Sequence, residues 1–291
     1  MLFINDFSNI FDDLAVSFKL LSDDIKLYSC YNVTSSGDTL SVAITRLCEW
    51  SDIWQLSIAV QKCFTCSICS YKSNAHFPRQ SYMIKNTVLP SVNCVRDLGV
   101  IVDCHLKFDT HYISLIVREE MLRSRLILQC SSSRNKDLML KAFFTYVRPI
   151  LEYCSPVWSP HLKYLIDRIE SVQKNYQKVP GLWNVPYPKR LELLKLQSLE
   201  YRCISYDLRL CYQSLHSYCD CLTHRSVDNT RSNRCKLFKH SCSIDATKFY
   251  FTNRIVNVWN SLPQHVVSAP TLSCFCNRLS KIDLGKFCVI Y

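Results

Sequence analysis

Apolar and polar positions alternate between residues 16 and 31. Val16, Phe18 and Leu20 fall on one face of an outgoing strand (16–21), Ser22-Asp23-Asp24 makes a polar turn, and Ile25 and Leu27 line a returning strand (25–31). A period of two bounded by turn residues predicts a half-buried hairpin. The period then changes. After a polar break at Ser35-Ser36-Gly37-Asp38, Leu40, Ile44, Leu47 and Trp50 recur at helical spacing to about Ile53. Residues 54–63 read as extended. Leu98, Val100 and Val102 alternate again as a strand, where Gly99 permits close backbone approach.

Beyond residue 110 the helical period dominates. Residues 111–129 set Tyr112, Leu115, Ile116, Leu122 and Leu126 on one broad side, with Arg118, Arg123 and Arg125 among the polar positions. Residues 135–147 predict a second helix. Ser159-Pro160 has the form of an N-cap followed by proline at the first helical position. Leu162, Leu165, Ile166, Ile169, Val172 and Tyr176 then make an apolar stripe that Pro180-Gly181 stops. Ile204, Leu208, Cys211 and Leu215 predict a further helix, and residues 271–284 a last one with Leu272, Phe275 and Leu279 inward. Residues 220–242 are polar, basic and cysteine-bearing, which reads as a loop. The expected class is α+β, a mixed N-terminal part followed by a mainly helical remainder, divided at 1–108, 109–218 and 219–291.

Composition narrows the compartment. No apolar run approaches the roughly 18 residues a membrane-crossing helix needs, and the first residues lack the basic start of a signal peptide. The expectation is an intracellular protein, nuclear or cytoplasmic and neither secreted nor membrane-bound. In that setting the 18 cysteines are reduced thiols, mostly small buried hydrophobes. Two loose clusters could instead hold a metal: Cys63, Cys66 and Cys69, and Cys219 with Cys221, His216 and His224.

Charge is unevenly placed. Residues 1–28 hold five aspartates (6, 12, 13, 23 and 24) against Lys19 and Lys26, net −3, so the rest carries +14 of a total of +11. A carboxylate-bearing hairpin joined to a basic body suits a chain that meets a metal ion at one point and a phosphate backbone elsewhere. Adjacent carboxylates at a hairpin tip repel each other unless a cation relieves them, although Asp is also an ordinary turn residue.

Several phrases give that reading a family. FIND (3–6) followed by KLLSDDIKLY (19–28) resembles the block around the catalytic aspartate pair of reverse transcriptases. The closest likeness is to non-LTR retrotransposons of the jockey and chicken-repeat type, with Leu21 and Ser22 where the family has Tyr and Ala. The likeness continues through the segment Trp54–Cys63, where Ala59 replaces the family's Asn, and through RDLGV (96–100) and YVRPILEYCSPVWSP (146–160). It goes on in IESVQKNYQK (169–178), the block from Tyr187 to SLE (198–200), and FTNRIVNVWNSLP (251–263). Nearly the whole chain is covered. The resemblance implies a partial polymerase palm over 1–108, a helical thumb-like region over 109–218, and a basic loop with a C-terminal helical segment over 219–291.

The same resemblance assigns roles. Asp23 and Asp24 would be catalytic and bind Mg2+, with Asp23 the stronger ligand, and Lys62 would help the pyrophosphate leave. RNA template and RNA–DNA duplex would be the partners, with arginines of the helical region on phosphates. Two-metal nucleotide addition needs carboxylates that fix two ions about 4 Å apart. In the family one of them comes from an earlier palm strand, which residues 1–291 do not contain. Three readings follow: a polymerase fragment inactive alone, a nucleic-acid-binding or interaction module derived from the thumb, and an incomplete gene model of an active enzyme.

Overall fold

A computed structural model describes residues 7–30, 39–69, 80–131, 135–177, 181–216 and 235–290, apart from the side chains of Ser8, Thr110 and His111. The FIND phrase, the 35–38 break, and Cys219, Cys221 and His224 lie outside them. The chain is of the α+β class and divides into two compact units, Met1–Val95 and Arg96–Tyr291. The expected division at 108 thus lies inside the second unit.

In the first unit a 3-10 turn (Phe7–Phe11) leads into β1 (Ser17–Leu21) and β2 (Asp24–Tyr28), paired antiparallel with Leu21 opposite Asp24. Ser22 and Asp23 therefore form a two-residue turn, and Ser22 takes the positive φ of 56° that primed hairpin turns require. The hairpin packs with α1 (Thr39–Ile53), which buries Ala43, Ile44, Leu47 and Trp50, as its period predicts. Phe7 is the centre of this core, meeting Phe18 and Trp50 edge to face at 5.4 and 5.2 Å. Leu20, expected inward, is exposed, although Ile25, paired opposite it, packs against this core. Residues 60–62 form a 3-10 turn within the stretch expected to be extended. A second small hairpin, β3 (Met83–Ile84) and β4 (Thr87–Val88), turns at Lys85 and Asn86, both at positive φ. It seats Ile84 against Ile44 and Leu89.

β5 (Cys94–Asp97), which runs across the division, and β6 (Val100–Asp103) form a third two-stranded pair. The continuous strand expected through Leu98 is instead a hairpin turn at Leu98 (φ 46°) and Gly99 (φ 88°). Tyr153 fixes that turn by donating its hydroxyl to the Leu98 carbonyl at 2.8 Å. A Cβ on Gly99 would meet the same ring at 3.4 Å and adopt an unfavourable φ.

The second unit is helical. Its first core is built by α2 (Ser114–Cys130), α3 (Lys136–Tyr146), α4 (Arg148–Glu152), α5 (Ser155–Trp158) and α6 (Lys163–Tyr176). Arg168 donates to Ser114 and Asn175 to Met121, so α2 and α6 run parallel with a constant offset. This packing turns α2 differently from the expectation. The inward line is Ile113, Ile116, Val117, Glu120 and Ser124, while Leu122 and Leu126, two positions off it, are exposed. Ser159-Pro160 does not open α6 either. Ser159 ends α5, whose Trp158 is buried and donates its indole N–H to the Tyr153 carbonyl, and α6 begins at Lys163. Leu165, Ile166, Ile169, Val172 and Tyr176 are buried as expected, whereas Leu162, expected in the same stripe, precedes the helix and is exposed.

Asn135 caps α3, its Oδ1 accepting from the N–H groups of Asp137 (2.9 Å) and Leu138 (3.4 Å). Asn135→Ala should cost about 1 kcal/mol of stability, read as a lower urea midpoint. An unchanged midpoint would mean that water caps this helix equally well.

After α7 (Tyr187–Leu193), α8 (Leu199–His216) connects to the second core. There Leu208, Cys211 and Tyr212 pack with α9 (Asp245–Lys248) nearby, α10 (Phe251–Asn260), α11 (Gln264–Val267) and α12 (Leu272–Leu279). Phe275 and Leu279 are buried as expected, Leu272 partly so. Residues expected in 109–218 and in 219–291 share this cluster.

Candidate functional site

The β1–β2 hairpin carries Asp23 in its turn and Asp24 as the first residue of the returning strand, both exposed. Chain adjacency alone brings the two carboxylates together. Lys62 is also exposed but sits on another element, the last residue of the 3-10 turn. Of the remaining early aspartates, Asp13 is committed to Arg46, which chelates both of its oxygens (Nη2 to Oδ2 2.7 Å) and also donates to the Ile10 carbonyl. That guanidinium holds the Asp13 carboxyl below its ordinary range. Asp6 lies outside the described residues.

Among the described residues no group of three or more His, Cys, Asp or Glu comes together to hold a metal. Burial pushes the Cys63 thiol up, which disfavours the thiolate a metal would need. His216 is occupied, stacked on Tyr212 at 4.0 Å with its Nδ1 2.8 Å from the Tyr212 carbonyl. Deeper thiols behave as small hydrophobes: burial pushes Cys203 and Cys288 up to about 12. Two exposed carboxylates are a poor Mg2+ site, because that ion keeps its waters unless several ligands fix its geometry. The described residues thus do not by themselves fit a two-ion centre.

In the helical unit the expected phosphate-facing cations divide. Arg118 and Arg125 are exposed. Arg123 instead pairs with buried Glu120 at 3.2 Å and donates to the Tyr146 carbonyl. On α6, Lys174, outside that expected set, pairs with Asp167 at 3.2 Å.

Two polar junctions were not foreseen. Glu170 of α6 is fully buried and accepts from the Leu199 N–H (2.9 Å to Oε2) and from the Tyr187 hydroxyl, with Gln173 beside it at 3.4 Å. It thereby satisfies an orphan donor at the start of α8. Arg254 of α10 grips Asp207 of α8 through two bonds of 2.8 and 2.9 Å and donates to the Pro156 and Phe249 carbonyls. The residues of both junctions lie in the phrases quoted for the resemblance or within a few positions of them.

No protein-family model matches the chain, and no solved structure matches it. An uncharacterized protein of Caenorhabditis elegans is 32% identical over 121 residues, which is 40% of this chain. The match spans 61% of that protein's length.

Proposed function

We propose that this chain is part of an RNA-directed DNA polymerase of the non-LTR retrotransposon type, one that binds RNA–DNA duplex through its helical unit and does not polymerise alone. The observation that carries this reading is the Asp23-Asp24 pair at the exposed tip of a two-residue hairpin turn, in the wording KLLSDDIKLY. Such a tip can present carboxylates to ions held between protein and nucleotide. Inactivity follows from the donor set: the described residues bring no third carboxylate to the pair, and Asp13 is held by Arg46. When bound, Mg2+ would supply charge stabilisation of the attacking and leaving oxygens. Asp23 and Asp24 are the residues that would contribute to holding it, and Lys62 would offer a cation to the leaving pyrophosphate. The exposed Arg118 on α2 supports duplex binding, and the thiols suit an intracellular, nuclear or cytoplasmic setting. Among the described residues no helix is long and apolar enough to cross a membrane.

Primer extension on poly(rA)–oligo(dT) with Mg2+ and dTTP tests the proposal, beside an Asp23→Ala, Asp24→Ala chain. No extension by either is expected, with duplex binding that weakens steeply as salt rises. Extension abolished by the double substitution would overturn the inactivity. Absence of salt-dependent duplex binding would overturn the family reading.

A further inference from the structure

Between the C-terminal parts of α2 and α6 lies a groove of about 300 Å³, walled by Met121, Leu128 and Tyr176 and rimmed by Arg125 and Trp183. Trp183 is the unusual member. Leu182 is buried and Val185 packs against the same core, and the Val185 N–H closes a turn on the Leu182 carbonyl at 3.3 Å. The indole between these two anchors is nevertheless 60% exposed. An anchored turn therefore holds a large aromatic face in water, where burial would ordinarily be favoured. Opposite it, Tyr176 is fixed by donating its hydroxyl to the Met139 carbonyl at 2.8 Å.

Two polar features say what would enter. Ser124 lines the groove and is only 3% exposed, yet its Oγ has no hydrogen-bond partner. Buried hydroxyls are normally satisfied, so a polar atom entering the groove beside Ser124 would relieve an otherwise unpaired group. Arg125, next in the chain, is exposed and puts a cation at the rim. A flat aromatic, a cation beside it and an unsatisfied hydroxyl match an unpaired base with its phosphate and ribose. Paired bases in a duplex keep their faces stacked and cannot use the indole.

We propose that this groove is a single-stranded nucleic-acid subsite, with one unpaired base on Trp183, its phosphate at Arg125, and a ribose or base polar atom on the Ser124 hydroxyl. The assignment rests on the nucleic-acid reading above but concerns a different strand from the duplex. With the full chain, anisotropy of labelled oligo(rA) and of a labelled RNA–DNA duplex would be measured for native protein, Trp183→Ala, Trp183→Phe and Arg125→Gln. Trp183→Ala should weaken oligo(rA) about tenfold and leave the duplex unchanged, and Trp183→Phe should restore most of the loss. Arg125→Gln should reduce the salt slope on oligo(rA) by about 0.7. Native protein that binds duplex but not oligo(rA), or a Trp183→Ala chain that binds oligo(rA) normally, would overturn the subsite and leave the duplex reading standing. Binding to neither probe would overturn both. If Trp183→Ala changes only the sedimentation of the chain, the groove belongs to a second copy instead.

Discussion

Arg254→Ala should destabilise the helical unit by about 3–5 kcal/mol, the range for breaking one side of a buried ion pair. Asp207 would be left inside the protein, its side chain only 5% exposed, with no counter-charge. Burial already raises the Asp207 carboxyl above its ordinary value, and Arg254 is what opposes that shift. The substitution also strips a donor from the Pro156 carbonyl on α5 and the Phe249 carbonyl before α10. One side chain thus ties three elements, and its loss should be felt as global softening. Urea unfolding followed by circular dichroism gives the midpoint. Because the orphaned Asp207 can take up a proton, the loss should shrink as pH falls from 7 to 5. Replacing both partners by apolar residues, Asp207→Leu with Arg254→Met, should recover much of the stability, since a buried pair is costly to desolvate. If Arg254→Ala alone costs less than about 1 kcal/mol, the level of an exposed pair, the link between α8 and α10 is not what holds this face.

Local pattern was legible where one face of an element meets one core. The α6 stripe from Leu165 to Tyr176 has that property, so period 3.6 reads directly onto burial there. The hairpin of residues 17–28 shows period two only in part, with Phe18, Ile25 and Leu27 on the core and Leu20 in water. α2 defeats the same logic. Its parallel packing with α6 puts Glu120 and Ser124 inward and leaves Leu122 and Leu126 in water. A rule that sends leucine in and glutamate out cannot anticipate a register set by a partner helix 54 residues away. The alternation runs through Leu98-Gly99 as in a strand, yet the turn there depends on Tyr153 arriving from a distant position. The carboxylate pair can be placed near a hairpin tip from sequence alone because polar residues interrupt the alternation there. The expected three-residue turn Ser22-Asp23-Asp24 is, however, a two-residue one, with Asp24 already paired to Leu21 in the returning strand. Trp183 sits in a turn, where no periodicity exists to mark an aromatic as unburied. The polar junctions were visible as words and invisible as contacts, since chain separation of 29 residues hides the Glu170–Leu199 bond.

That bond carries the second large expectation, a fall in stability as pH rises from 5 to 8. Burial pushes the Glu170 carboxyl up to about 7, against the opposing pull of Tyr187, the Leu199 N–H and Lys174. Other charged or titratable neighbours are Glu200 and Cys288, both also shifted upward by burial. Between its ordinary value of 4.5 and about 7 the folded chain holds a proton there that the unfolded chain releases. More protons on the native side means that stability declines with pH. The contribution is complete below the ordinary value and lost as pH passes through 7, amounting to about 3 kcal/mol at 1.36 kcal/mol per unit. Glu120, buried on α2 beside Arg123, is pushed to about 7 by the same cause and adds in the same direction. Glu170→Gln keeps an oxygen for the Leu199 N–H and cannot ionise, so the urea midpoint should depend less on pH. The variant should match native protein near pH 5 and exceed it at pH 8. Glu120→Gln should remove a further part of the slope. A Glu170→Gln chain with the native pH profile would show that Glu170 is ionised throughout, its N–H and hydroxyl donors outweighing burial.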